Sequence, residues 1–305
     1  MDHRFTRARA PLALASTDLS ERTTPCRLGP WLLERAIGTG AMATIYQARP
    51  ADGGDLSARY AVKVLDPTWQ QHALCVSLFR REAAVGRRVS HPHLIGVLSA
   101  QVTAAPYYLV MPLLAGRTIE ERIKAGEPLA LPHALWIARQ TAEALEALHR
   151  AGYLHGDVKP GNLMLSADGH TTLLDLGFAR ELEETGSALD RPVVGTISYL
   201  APELLTSTTR ADERSDLYSL GATLFEMLAG RPPFLAGSLE ELAERQQRGA
   251  APDLRALAPQ VPSSVAELVR RLLARDPFRR PRRALDVVRQ LIAFEISTLA
   301  ERIPA

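Results

Sequence analysis

Asp157 and Asn162 stand five residues apart in the stretch YLHGDVKPGN, with Lys159 between them. An Asp in such a loop is suited to orient a hydroxyl nucleophile and accept its proton. Lys159 is suited to stabilise charge on a transferring phosphoryl group, and Asn162 to offer a neutral oxygen to a divalent metal. Asp175 closes the apolar run of LLDLGFAR and adds a second hard ligand for a metal that bridges phosphates. Taken alone, the loop also reads as a plain polar turn, because Pro160-Gly161 favours one.

Two more groups fit the same chemistry. Lys63 lies inside the apolar stretch YAVKV, where a cation is costly unless paired. Glu82, in FRREAAVG, is a suitable partner for a lysine that contacts nucleotide phosphates. The plainer alternative is an edge-strand Lys facing water and an ordinary surface Glu. Upstream, IGTGAMATI comprises Ile37, Gly38, Thr39, Gly40, Ala41, Met42, Ala43, Thr44 and Ile45. Its glycine pair lets backbone amides approach phosphates with no Cβ in the way. A strand follows rather than a helix, which argues against a dinucleotide-binding turn.

The elements around these residues divide in two. From Trp31 to Leu114 the pattern is mostly extended: WLLERAIG and TIYQAR flank the glycine turn, RYAVKVL and PYYLVMPLL read as strands, and HALCVSLFRREAAVGRRV reads as one helix. After Gly116 the chain turns helical. LPHALWIARQTAEALEALHRAG, DERSDLYSLGATLFEMLAG, SLEELAERQQRG, PSSVAELVRRLLARDP and RRALDVVRQLIAFEISTLAERI are the helices expected there. The catalytic candidates fall at the start of this second part.

Composition narrows the setting. The 305 residues carry a formal charge of +2, which argues against a nucleic-acid partner. Cys26 and Cys75 have no metal or redox spacing, so a reducing, cytoplasmic environment is expected. Residues 1–27 are expected to form a disordered tail: Arg4, Arg7 and Arg9 look like a signal's basic start, but APLALA is too short and Pro11 interrupts it. No run approaches the ~20 apolar residues of a membrane span, so no membrane anchor is expected.

The order of the motifs resembles the protein kinase superfamily, and most closely the eukaryotic-like (Hanks-type) Ser/Thr kinases of bacteria. The resemblance covers Leu28 to Ile292. It rests on the glycine loop, AVK, Glu82, HGDVKPGN, DLG, GTISYLAPE, SDLYSLG and RDPFRRP. It implies an α+β, two-lobed protein-kinase fold, with a small antiparallel-sheet lobe holding one key helix and a larger, mainly helical lobe. The kinase domain is expected over 28–294, divided near residue 113, with 295–305 as a helical extension.

By position, the resemblance implies ATP and Mg²⁺ (or Mn²⁺) as cofactors and a protein substrate as partner. Lys63 would bind the α- and β-phosphates and pair with Glu82. Asp157 would be the base, and Asn162 and Asp175 the metal ligands. Met111 would be the gatekeeper, with Pro112 to Leu114 as the hinge facing adenine; Pro112, having no N–H, offers only its carbonyl. Asp216 would anchor the catalytic loop, and Glu203 would pair with Arg280. Lys159 and Thr196 resemble the Ser/Thr rather than the Tyr class.

The chain departs from the family at three positions. Ala43 replaces the third loop glycine, and Leu176 replaces the Phe after the metal-binding Asp. Gly156 stands where most members have an Arg that grips a phosphate on the activation segment. That segment, ELEETGSALDRPVV, is already acidic at Glu181, Glu183 and Glu184; Arg180 and Arg191 remain to receive a phosphate on Thr185 or Ser187. The expectation is that activation-segment phosphorylation is not the main switch. HGD also occurs in the small-molecule phosphotransferases that resemble kinases, but GTISYLAPE and the Glu203/Arg280 pair belong to kinases of proteins. A pseudokinase scaffold usually lacks the Lys, the base or the metal Asp, and this chain has all three.

Overall fold

The computed structural model describes residues 26–53, 60–127, 129–182, 197–205 and 211–300. Of the expected tail, residues 1–25 lie outside these. Cys26 and Arg27 do not belong to it: Cys26–Leu28 (β1) pairs with Trp31–Thr39 (β2) in the register Cys26↔Leu33.

The hairpin expected around the glycines is β2 with Ala43–Pro50 (β3), which pairs in turn with Tyr60–Leu65 (β4). Ala73–Arg88 forms α1; its spacing of Cys75, Leu78, Phe79, Ala83 and Val85 buries one face. Ser99–Gln101 (β5) and Tyr108–Pro112 (β6) complete a six-stranded sheet in the order β1-β2-β3-β4-β6-β5. β5 carries no alternating pattern of its own and exists by pairing with β6.

The second lobe begins with Arg117–Thr118 (β7) and Ile119–Lys124 (α2), whose start is closed by a capping box between Thr118 and Glu121. Leu131–Arg150 (α3) and Glu213–Ala229 (α4) are its central helices. α4 is buried on nearly every face, as a helix with little polar surface must be. Between them lie Tyr153–Leu154 (β8), Leu163–Leu165 (β9), Thr171–Leu173 (β10) and Arg180–Glu181 (β11), paired as β10-β9-β7 and β11-β8. Leu239–Arg248 (α5), Leu254–Leu257 (α6), Ser263–Leu272 (α7) and Ala284–Ala300 (α8) follow. α8 runs unbroken past residue 294 and is tied to α3 by Arg139–Glu295 at 2.9 Å and Arg283–Glu146 at 2.7 Å.

The lobes are joined next to the candidate site. Ile95 N–H donates to the Leu173 carbonyl and Leu173 N–H to the His93 carbonyl, each over 2.9 Å. His93, in the SHPHL turn, also donates from Nδ1 to the Thr171 carbonyl at 2.9 Å. Among the described residues no helix is long and apolar enough to cross a membrane.

Candidate active site

The glycine turn joins β2 to β3 through the register pairs Gly38↔Ile45 and Thr39↔Thr44, and Gly40 N–H closes it on the Ala43 carbonyl at 2.8 Å. Thr39, Gly40 and Ala41 are exposed at its tip, with Met42 half-buried behind them. Ala43 pairs with Leu65 and is buried with it in the core, so its Cβ is absorbed by packing. Thr44 donates its hydroxyl to Asp66 at 3.1 Å, which ties β3 to the end of β4.

Lys63 on β4 reaches Glu82 Oε2 on α1 at 2.7 Å and Asp175 Oδ1 at 3.3 Å. The edge-strand reading of Lys63 is therefore wrong: β4 lies between β3 and β6, and the ammonium faces two carboxylates. Burial opposes its charge, but Asp175 and Glu82 outweigh burial and hold Lys63 protonated. Burial pushes the Glu82 carboxyl upward, and the ammonium of Lys63 opposes that shift.

The HGDVKPGN loop hangs from one buried carboxylate. Asp216 on α4 accepts the N–H groups of His155 and Gly156 at 2.8 and 2.9 Å, and is met by His149 Nε2 at 2.9 Å. These bonds outweigh burial and keep the Asp216 carboxyl below the usual range. Gly156 has φ +77°, and a Cβ there would lie 2.8 Å from the Phe178 carbonyl oxygen. Beyond it, Asp157 Oδ2 accepts from Lys159 Nζ at 2.7 Å and from Asn162 Nδ2 at 2.8 Å. Burial raises the Asp157 pKa, with Lys159 as the main opposing charge.

Asp175 sits at φ +61°, an uncommon conformation for a residue with a Cβ, and accepts the Gly177 N–H at 3.2 Å. Its carboxyl is held low: burial raises it, but Lys63 and the Gly177 N–H prevail. Leu176 is fully buried, so the apolar role expected of it is met. Asn162 spends its amide nitrogen on the Asp157 carbonyl and carboxylate, at 2.7 and 2.8 Å, and its amide oxygen takes no hydrogen bond from the described residues. Two hard oxygen donors suit Mg²⁺, which keeps waters and takes phosphate oxygens rather than an all-protein cage.

Met111 is buried on β6 opposite Ala61, Pro112 lies opposite Tyr60, and Leu114 packs on the core just beyond. Glu203 grips Arg280 through both oxygens at 2.7 Å, with the Ser215 hydroxyl on the same carboxylate. Thr196, Thr185, Ser187, Arg191, Glu183 and Glu184 lie outside the described residues. Arg180 is buried on β11 and Glu181 is exposed.

Sequence reasoning missed several residues. His149 shares Asp216, Arg81 donates to the Ala179 carbonyl at 2.9 Å, and Tyr199 donates to Glu226 at 2.5 Å. Nothing in their local sequence marked them, since each contact joins separate elements.

A small curled sheet with one buried Lys–Glu pair, set over a helical lobe whose Asp and Asn meet in one loop, defines a phosphotransferase fold. Residues 31–291 match the family described as the protein kinase domain, and the chain belongs to that family. It is 32% identical over 275 residues to the serine/threonine-protein kinase PrkC of Bacillus subtilis, covering 90% of this chain and 42% of that protein. It is 31% identical over 242 residues to the probable serine/threonine-protein kinase PknB of Lactococcus lactis, covering 79% and 38% respectively. PknA of Mycobacterium tuberculosis, a serine/threonine-protein kinase, is 32% identical over 269 residues, covering 87% and 61%. The chain thus spans only part of the length of these relatives.

Proposed function

We propose that the chain is a Ser/Thr protein kinase that transfers the γ-phosphoryl group of ATP to hydroxyls of protein substrates in the cytoplasm. The observation that carries this is the simultaneous closure of Lys63 on Glu82 and Asp175, at 2.7 and 3.3 Å, from elements far apart in the chain. It is the arrangement a kinase needs for phosphate positioning. The relatives' names support the Ser/Thr class, as does Lys159, two residues after the base. The free thiols of Cys26 and Cys75 fit a reducing compartment.

In this reading the tip from Gly38 to Ala43 covers the phosphates, Lys63 holds the α- and β-phosphates, and Glu82 fixes Lys63. The Pro112 carbonyl and the side chains of Met111 and Leu114 frame the adenine. Mg²⁺ held by Asn162 and Asp175 would neutralise charge on the phosphates. Asp157, presented by Asn162, receives the acceptor's hydroxyl and takes its proton, while Lys159 steadies the charge that develops beside it. In this reading the catalytic domain extends over 28–294, with 295–305 as its helical extension.

Control by an activation-segment phosphate is weakened here. Gly156 has no cation to offer, and a phosphate on Thr185 or Ser187 would stand near the acids of the same segment in sequence. The kinase is therefore substantially active before that phosphorylation.

The test incubates the purified chain with labelled ATP and Mg²⁺. Generic protein acceptors are compared with choline and an aminoglycoside, and the phosphosites are mapped. Phosphoserine or phosphothreonine on protein is expected; transfer only to the small molecules, or none at all, would overturn the reading.

A further inference from the structure

We propose that the turn around Phe278 is a docking site for an acidic segment of the protein acceptor, an inference that rests on the kinase reading above. Residues 270–289 hold eight arginines, two aspartates and no lysine, in a chain whose formal charge is only +2. Arg280 is buried on Glu203, whereas Arg275, Arg279 and Arg282 are exposed on either side of Phe278 in sequence. Phe278 is 81% exposed, more than any other large apolar side chain among the described residues. It belongs to none of the hydrophobic clusters. The fold holds it out: the Phe278 N–H is capped by Asp276 at 2.9 Å, and the Arg214 guanidinium stacks 5.0 Å from its ring.

The nearby acids neutralise part of this surface and leave Arg275 and Arg282 without an ion pair among the described residues. Asp276 caps the turn and stands 3.9 Å from Arg279, which is itself 82% exposed. Asp212 is taken by Arg214, Glu146 by Arg283 and Glu267 by Arg270. Arg275 is exposed, and the exposed side chain of Arg282 finds no hydrogen-bond or ion-pair partner among the described residues. Guanidinium groups bind carboxylates through two parallel hydrogen bonds. An exposed ring among them adds a seat for one apolar side chain. The matching ligand is a run of Glu or Asp containing one apolar residue.

An acceptor protein is favoured over a membrane because a single large apolar residue gives no inserting face. It is favoured over nucleic acid because a formal charge of only +2 gives the chain no broad basic field. Position agrees. Arg280 of the same turn carries Glu203, and Arg214 lies two residues before Asp216, whose carboxylate holds the backbone of Gly156 beside the base Asp157. These contacts tie the turn to the helix that holds the catalytic loop, and the spacer length in the peptide test spans the remaining distance.

The experiment compares a threonine acceptor peptide carrying a leucine and a run of glutamates, after Gly-Ser spacers of graded length, with the same peptide carrying glutamines. The glutamate tail is expected to lower KM about tenfold with kcat unchanged, and added salt should erase the difference. Phe278→Ala and the Arg279→Glu/Arg282→Glu double variant should remove the advantage while leaving turnover of the glutamine peptide as it was. A lysine tail should regain it on the charge-reversed enzyme. Fluorescence anisotropy of the labelled glutamate peptide measures docking without turnover, so failure of the kinase reading and failure of docking are separable. Equal KM and equal binding for the two tails would overturn the proposal. So would Phe278-dependent binding of phosphatidylserine vesicles or oligouridylate with no gain from the glutamate tail.

Discussion

The backbone of Gly156 passes so close to Phe178 that a Cβ on the glycine would stand 2.8 Å from the Phe178 carbonyl oxygen. The left-handed φ of +77° adds a second reason for glycine at this position. Gly156→Ala meets both penalties. A left-handed conformation costs a residue with a Cβ roughly 1–2 kcal/mol, and the contact with backbone oxygen adds to it. The expected outcome is a loss of about 2 kcal/mol in stability, read from the midpoint of denaturant unfolding, with Gly156→Arg at least as costly. An alanine variant as stable as the parent would contradict the geometry.

The same position bears on regulation. Phosphatase-treated enzyme, the Thr185→Ala/Ser187→Ala variant and autophosphorylated enzyme should turn over within a few-fold of one another. A drop of more than about tenfold on dephosphorylation, worth ~1.4 kcal/mol in the barrier, would show that a phosphate switch operates. Arg180 and Arg191 would then be the first residues to replace.

Lys63→Met and Asp175→Asn should each lower phosphoryl transfer by at least about a hundredfold, because the reaction depends on positioning and charge stabilisation. Circular dichroism should remain that of the parent. Near-normal transfer by a folded Asp175→Asn protein would remove Asp175 from the metal site.

Asp157 accepts a proton only when ionised, and burial raises its pKa above the ordinary value against the pull of Lys159. Turnover should therefore fall as pH drops, with the acid limb lying above the range of a solvated Asp, near 4. Lys159→Met removes the opposing charge, so the limb should move to still higher pH. Movement to lower pH would mean that Lys159 does not set the ionisation of the base. Asp157→Asn should cut turnover by orders of magnitude while changing ATP affinity far less.

Much of this protein was legible along the chain. The period of α1 and α3, the turn chemistry of the glycine hairpin and the order of motifs from Gly38 to Arg280 follow from residues near each other in sequence. The α+β kinase fold they implied is the one observed. The pairing of Lys63 with Glu82, 19 residues apart, was also legible, since a Lys in an apolar strand demands an acid. Other features depended on packing. Cys26 and Arg27 became a strand only because β2 offered an edge, and β5 only because β6 did. His149 acquired its place by meeting Asp216 across 67 residues, and Arg81 by meeting Ala179 across 98. The conformation of Gly156 was decided by the N–H bond to Asp216 and the carbonyl of Phe178, brought together by packing. Periodicity and turn propensity act over a few bonds and are written locally. A buried carboxylate's choice of donors is set by which elements the core brings into contact, and that is settled only when the chain has folded.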